Sequence, residues 1–253
     1  MTPGREYRPG NQAAKMVRDM MAHEMAARMY AALVTVQGRV ALVVGDESRW
    51  RHESGYVFVP VELPGGTYAD GSSPEEAIAA IGRRWFGRPL RLQPAGVTYG
   101  RSPAHAIDRL PPRDAPAPLL FLDRPTPVDP ERGGGLHRVT VEVFRAVIDG
   151  GDTASGAGAS AADDSASGIE PQPGCAGLLL LSWQALRQIV RGVPLADMLA
   201  RDDVDLQCRS GLSLPPETLI YLTAEYGERT LLRVAAKYGV QALGKDIGNG
   251  TGF

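Results

Sequence analysis

The feature that most constrains the fold is a strand that runs through a tight turn into a helix. Tyr56 to Leu63 is rich in β-branched and aromatic residues, which suit a pleated, half-buried surface. It leads into Pro64-Gly65-Gly66, a backbone that neither strand nor helix is expected to keep. Ser73-Pro74-Glu75-Glu76 then opens a helix. Ser73 can cap it, Pro74 fits the first helical position, and the two glutamates suit the positive helix end. Ala77, Ile78, Ile81 and Trp85 recur at helical spacing as its apolar face, and Gly87 is a plausible stop.

Around this unit, Asn11 to Tyr30 reads as a helix with a methionine stripe. Ala31 to Val36 and Arg39 to Val44 read as a strand pair joined at Gln37-Gly38. Leu90 to Tyr99 is a further strand. The proline-rich stretch 101–135 reads as a long loop holding one short strand at Leu119 to Leu122. His137 to Ile148 alternates as a half-buried strand, and Gly177 to Leu181 as a buried one. Between them, Gly150 to Gly174 is almost entirely Gly, Ala, Ser, Asp and Pro. Such a tract cannot bury enough apolar surface to offset its ordering entropy, so disorder is expected. Trp183 to Val190, Pro194 to Ala200 and Pro215 to Tyr238 read as helices, the last with a break expected near Gly227. The pattern predicts an α/β sandwich around a mixed sheet. Three regions are expected: an N-terminal extension over 1–30, a main domain over 31–200 interrupted by the insert 150–174, and a C-terminal helical extension over 201–253.

The segment from Leu63-Pro64-Gly65-Gly66 through Pro74-Glu75-Glu76-Ala77 to Gly87 resembles the Nudix box, G-x5-E-x7-R-E-U-x-E-E-x-G-U, where U is a bulky aliphatic residue. The resemblance covers roughly Ala31 to Leu199 and implies a Nudix-like α/β/α sandwich. With its first glycine at Gly66 and its last at Gly87, the degenerate box spans Gly66 to Arg88. The first box glutamate falls on Ser72, the arginine on Ala80 and the next glutamate on Ile81. The paired glutamates fall on Arg84 and Trp85, and the bulky positions on Gly82 and Arg88. In this family the helix carboxylates bind hard divalent ions, usually magnesium, which neutralise a diphosphate and activate water. Ile81 and Trp85 cannot ligate magnesium, and Arg84 repels it. The resemblance therefore implies binding of a nucleotide or nucleoside-diphosphate-type ligand in a regulatory or accessory role, without the family's metal-dependent hydrolysis. Gly65, Gly66 and Arg84 are the expected ligand-binding residues, Arg84 placing a guanidinium where the metal ion would sit. No cofactor, catalytic residue or metal ligand is assigned.

Two alternatives stay open. An active hydrolase could draw magnesium ligands from Glu53, Glu62 or Glu142. A scaffold could bind protein partners through the N-terminal and C-terminal helices. Other carboxylates near the box have simpler explanations: Glu75 and Glu76 by capping and the helix dipole, Asp70 by the turn Asp70-Gly71. His23, His52, His105 and His137 show no ligand spacing, and Ser182 and Ser210 lack a Gly-x-Ser-x-Gly context. Cys175 and Cys208 are read as reduced thiols without a Cys-x-x-Cys site. A net charge of −2 excludes a globally basic nucleic-acid binder. Arg229, Arg233 and Lys237 are too few to make a DNA-binding appendage of the C-terminal segment. No secretory h-region or apolar run of roughly 18 residues is present, so a soluble, cytoplasmic protein is expected. The preference for arginine over lysine, with abundant Ala, Gly and Pro, suggests a GC-rich bacterial genome. A homo-oligomer is compatible with the sequence.

Overall fold

A computed structural model describes residues 27–69, 71–101, 107–110, 116–127, 136–148, 169 and 171–244. Its elements run β1 (Ala27–Val36), β2 (Arg39–Gly45), β3 (Arg51–Glu53), β4 (Tyr56–Glu62), β5 (Gly65–Thr67), α1 (Pro74–Phe86) and β6 (Leu90–Gln93). There follow β7 (Tyr99–Arg101), β8 (Ile107–Arg109), β9 (Leu120–Pro127), β10 (Leu136–Ile148) and β11 (Cys175–Leu181). The chain continues with α2 (Trp183–Leu186), β12 (Val193–Pro194), α3 (Leu195–Leu199), β13 (Val204–Cys208), β14 (Thr218–Leu222) and α4 (Glu228–Tyr238).

The expected hairpin forms. Val34 and Val36 of β1 face Ala41 and Arg39 of β2, and Gln37 and Gly38 both take positive φ at the turn, 50° and 74°. This is the backbone that lets a two-residue loop follow the strand twist. Strands β1 and β10 then pair in parallel, as do β4 with β14 and β7 with β9. The other pairings are antiparallel, so the sheet is mixed. Its central order is β14-β4-β2-β1-β10-β9, with β11 alongside β2, β5 alongside β1 and β6 alongside β10.

Strand alternation sends side chains to two separate cores. Tyr30, Ala32 and Val34 of β1, Phe144 and Ala146 of β10, and Leu178 and Leu180 of β11 pack with Ala77, Ile78, Ile81, Trp85 and Phe86 of α1. Leu33, Val141, Val143, Leu179 and Leu181 point the other way. They meet Trp183 and Leu186 of α2, Leu195 and Met198 of α3, and Leu231, Val234 and Ala235 of α4. The expected α/β sandwich around a mixed sheet is thus what the chain builds. No described helix is long and apolar enough to cross a membrane.

Helix α1 starts as its sequence dictates. Ser73 accepts from the Glu76 amide at 3.2 Å, and the Glu76 carboxylate accepts from the Ser73 amide at 2.9 Å. This reciprocal capping box satisfies two amides that a helix start otherwise leaves without partners. Gly87 ends the helix at φ 67°, the left-handed conformation that glycine adopts without penalty.

Several local expectations give way. Ala27 to Tyr30 lie in β1, not in a helix, because they pair with β10. Asn11 to Ala26 lie outside the described residues. Gly65 and Gly66 are extended in β5, because the half of β1 that β2 does not cover offers them backbone partners. Helix at Pro215 is replaced by β14, whose burial alternates along its length, and helix resumes only at Glu228. The region 201–253, expected as a helical extension, therefore contributes β13 and β14 to the sheet itself. The helix expected over Trp183 to Val190 is one α-turn followed by a 3₁₀ turn at Ile189–Arg191. Residues 150–168 of the low-complexity tract lie outside the described residues. Its end is ordered by packing: Ile169 is buried with the α1 core, and the Gln172 carbonyl accepts from the Cys175 amide.

Gly82 explains one departure from the box, which asks for a bulky residue there. A methyl group on Gly82 would lie 2.3 Å from the Leu90 amide nitrogen and 2.4 Å from the Arg88 carbonyl oxygen. Strand β6 is thus fastened directly against the helix backbone. Gly82→Ala favours the helix by about 1 kcal/mol of propensity, but overpacking costs about 1–3 kcal/mol. Because the obstacle is backbone, we expect a net loss of stability in urea unfolding; a gain would show that the connection to β6 yields.

Candidate functional site

The Gly65-Gly66 pair sets the geometry of the site. Successive strand residues face opposite sides of a sheet, and a tyrosine ring lies on each side of this pair. Gly66 stands opposite Tyr30 across the β5–β1 ladder, and a Cβ on it would lie 3.5 Å from the Tyr30 hydroxyl oxygen. On the other face, a Cβ on Gly65 would lie 2.6 Å from the Tyr226 ring. Gly65 is buried, whereas Gly66 is half-buried.

On the α1 face, Tyr30 is flanked by Gly66 on one side and Glu142 of β10 on the other. The Tyr30 and Tyr68 rings lie 4.7 Å apart, centroid to centroid. Arg28 lies over the Tyr68 ring at 4.5 Å and pairs with Glu142 at 2.9 Å. Burial pushes the phenols of both Tyr30 and Tyr68 above their ordinary values. The positive charge of Arg84 pulls against this at Tyr30, and the Glu142 carboxylate adds to it at Tyr68. Arg84 is exposed on α1, with its guanidinium 4.5 Å over the Trp85 ring. This face therefore gathers two arginines and two tyrosines beside a glycine strand.

Trp85 is 8% exposed, and Ile81 is 2% exposed. The Trp85 indole N–H donates to the Gly65 carbonyl oxygen at 3.3 Å. Helix α1 thus presents to the glycine turn an indole and an aliphatic side chain, with Arg84 outside them.

At the end of β4 the carboxylates are engaged. Arg49 clasps Glu62 in bidentate fashion at 2.6 and 2.8 Å, and reaches Glu225 at 3.4 Å. The clasp holds Arg49 still more firmly protonated. Glu228, 3% exposed, accepts from the amides of Leu63 at 3.2 Å and Tyr226 at 3.1 Å. It thereby ties the start of α4 to the end of β4. Burial pushes the Glu228 and Glu225 carboxyls above their ordinary value, and the nearby Glu62 charge adds to both.

The expected site residues divide accordingly. Gly66 and Arg84 border one surface, while Gly65 lies beneath it. Glu62 and Glu142 are each paired with an arginine, and Glu53 is exposed on β3. His52 is exposed on the same strand. His23, Asp70 and His105 lie outside the described residues, as does the side chain of His137. Ser182 caps α2, accepting from the Ala185 amide at 3.1 Å, and bonds Asp203. Cys175 is buried and Cys208 half-buried, both as free thiols. Arg28, Tyr30, Tyr68 and Tyr226 escaped the sequence reading. The available signal was the glycine pair, which within a strand leaves two opposed hollows that large side chains can fill.

A carboxyl pushed up in the folded chain binds its proton more tightly than in the unfolded chain. Its contribution is present below its unfolded value and is lost as pH rises through the folded one. For Glu228 that loss begins near the ordinary value of 4.5 and continues upward. We expect wild type to lose stability relative to Glu228→Gln as pH rises from 4 to 8 in urea titrations. A constant difference across that range would show that Glu228 is not perturbed.

No family model and no curated protein matches the chain. Solved structures similar to it include a NUDIX hydrolase from Nitrosomonas europaea, at 10% identity and a TM-score of 0.33, covering 63% of this chain and 58% of that one. An ADP-ribose pyrophosphatase from Streptococcus suis is similar at 11% identity and 0.31, covering 61% and 72%. A MutT/nudix family protein from Enterococcus faecalis is similar at 11% and 0.34, covering 94% and 81%. The chain thus spans little more than half the length of the first of these. At such identities and scores the likeness carries no functional inference.

Proposed function

We propose that this chain is a Nudix-like domain that binds a nucleotide or nucleoside-diphosphate-type ligand without metal-dependent hydrolysis, in a regulatory or accessory role. The observation that carries the reading is Trp85. It stands where the box resemblance asks for a metal-binding glutamate, and its indole donates to the Gly65 carbonyl instead. An oxygen that accepts this bond is a poorer partner for a cation, and no carboxylate extends from position 81 or 85 to replace it. The hydrolase alternative is disfavoured by Glu62 and Glu142, each of which already balances an arginine. Diphosphate oxygens would instead meet Arg84, whose guanidinium group recognises phosphate without a metal ion. A nucleobase or ribose would rest beside the half-buried Tyr68 ring, in place of the Arg28 guanidinium that lies over it.

The test combines two assays on the full chain. ADP-ribose, UDP-glucose and diadenosine polyphosphates are incubated with magnesium, with and without chelator, and product is followed. The same compounds are then titrated by calorimetry without metal. We expect no chelator-sensitive turnover, metal-independent binding of at least one compound, and weakening of that binding about tenfold by Arg84→Ala, the scale of one lost charge-assisted contact. Chelator-sensitive hydrolysis would establish the active-enzyme alternative. Binding unchanged in Arg84→Ala would remove Arg84 from the site.

A further inference from the structure

The surface beside Gly66 already holds a planar group. The Arg28 guanidinium lies over the Tyr68 ring at 4.5 Å and donates to the Glu142 carboxylate at 2.9 Å. One flat group bearing N–H donors is thus stacked on an aromatic ring and bonded to a carboxylate at the same time. The two ends of this ion pair are unequal: the Arg28 side chain is 55% exposed, that of Glu142 11%. Glu142 is fixed in β10, where it stands opposite Tyr30. Tyr68 is half-buried, and its amide donates to the Arg28 carbonyl at 3.0 Å. Acceptor and ring are therefore rooted at the sheet, while the guanidinium rides on a side chain open to water. An ion pair so exposed at one end adds little stability, so another planar donor can take its place.

The chemistry of the acceptor narrows what that donor is. An ionised carboxylate only accepts hydrogen bonds, and two parallel N–H groups in one plane match it best. Among the common nucleobases, guanine alone carries such a pair, at N1 and the exocyclic amine, because its ring contains a cyclic guanidine. Adenine and cytosine set a ring-nitrogen acceptor beside their amine. Uracil flanks its single N–H with carbonyl oxygens. Each of these would turn lone pairs toward the Glu142 oxygens.

We propose that Tyr68 and Glu142 form a guanine-selective base subsite, which Arg28 occupies as a built-in competitor in the free chain. The inference rests on the nucleotide reading above and names the base. On binding, guanine replaces the guanidinium on both partners: Tyr68 stacks against its face, and Glu142 accepts from N1–H and the amine. Glu142 passes from one donor to another and stays engaged throughout. It sets base specificity, while Arg28 sets how much affinity is lost to self-occupancy of the subsite.

The test is calorimetric titration of the full chain with GDP, IDP, ADP and UDP without metal, melting temperature being followed in each variant. We expect GDP to bind about tenfold tighter than ADP or UDP, the scale of one charge-assisted contact. IDP, which lacks the exocyclic amine, falls between. Glu142→Gln, whose amide carries a donor as well as an acceptor, removes the preference for GDP. Guanosine, which has no phosphate, reads the base subsite alone. Arg28→Ala tightens it about threefold by removing the competitor, whereas loss of a residue that merely supports the site would weaken it. The inference is overturned if ADP or UDP binds as tightly as GDP, a result that leaves the nucleotide reading standing. It is equally overturned if Glu142→Gln keeps the preference in a chain that melts normally, or if Arg28→Ala leaves guanosine binding unchanged or weaker. Binding of no nucleotide at all overturns both readings together.

Discussion

The architecture around the site depends on three residues of backbone pairing, β5 on β1. Strand β1 gives its far end to β2 and its near end to β5, while its opposite edge runs along β10. The short ladder does two things at once. It holds the connection between β4 and α1 flat against the sheet, and it turns the two glycines to opposite faces. Because Gly65 carries no side chain, the Tyr226 ring closes over it, while the Tyr30 ring lies beside Gly66. The backbone groups of this segment are satisfied by the sheet, which is why a Gly-Gly sequence of high conformational entropy can stay extended.

The chemistry follows from what then surrounds that ladder. Above it, α1 delivers an indole N–H to the Gly65 carbonyl, and Arg84 and Arg28 supply positive charge outside the indole. At the end of β4, Glu228 fastens the start of α4 to the Leu63 amide, and Arg49 joins Glu62 to Glu225. On the proposed reading, this is a fold in which buried hydrogen bonds and arginine pairs occupy the positions where a hydrolase of this type would keep carboxylates available for metal.

The sequence made the α1 unit legible because every local signal agreed there: cap, proline, acidic first turn, apolar period and terminal glycine. The β1–β2 hairpin and β10 were equally plain from their alternation. Misreadings arose where a tertiary partner outweighed local preference. Met29 and Tyr30 continued a helical methionine pattern, yet β10 offered a strand ladder. Thr218 to Leu222 was short enough to be absorbed into the helix beyond it, although its period is two. At the site, Arg84 and the loss of carboxylates at 81 and 85 were visible directly. The pairing of Glu62 with Arg49 and of Glu142 with Arg28 was not, since their partners lie thirteen and 114 residues away.

The central proposal is that the Trp85 bond to the Gly65 carbonyl, with no carboxylate at positions 81 and 85, leaves no divalent-ion site beside α1. Its most direct measurement is a manganese titration of the full chain, in which electron paramagnetic resonance counts free ion with and without ADP-ribose. The account predicts that the chain adds no saturable site to those of the ligand alone, at manganese concentrations up to the millimolar range. One manganese ion held per chain and weakened by Glu62→Gln or Glu142→Gln would contradict it.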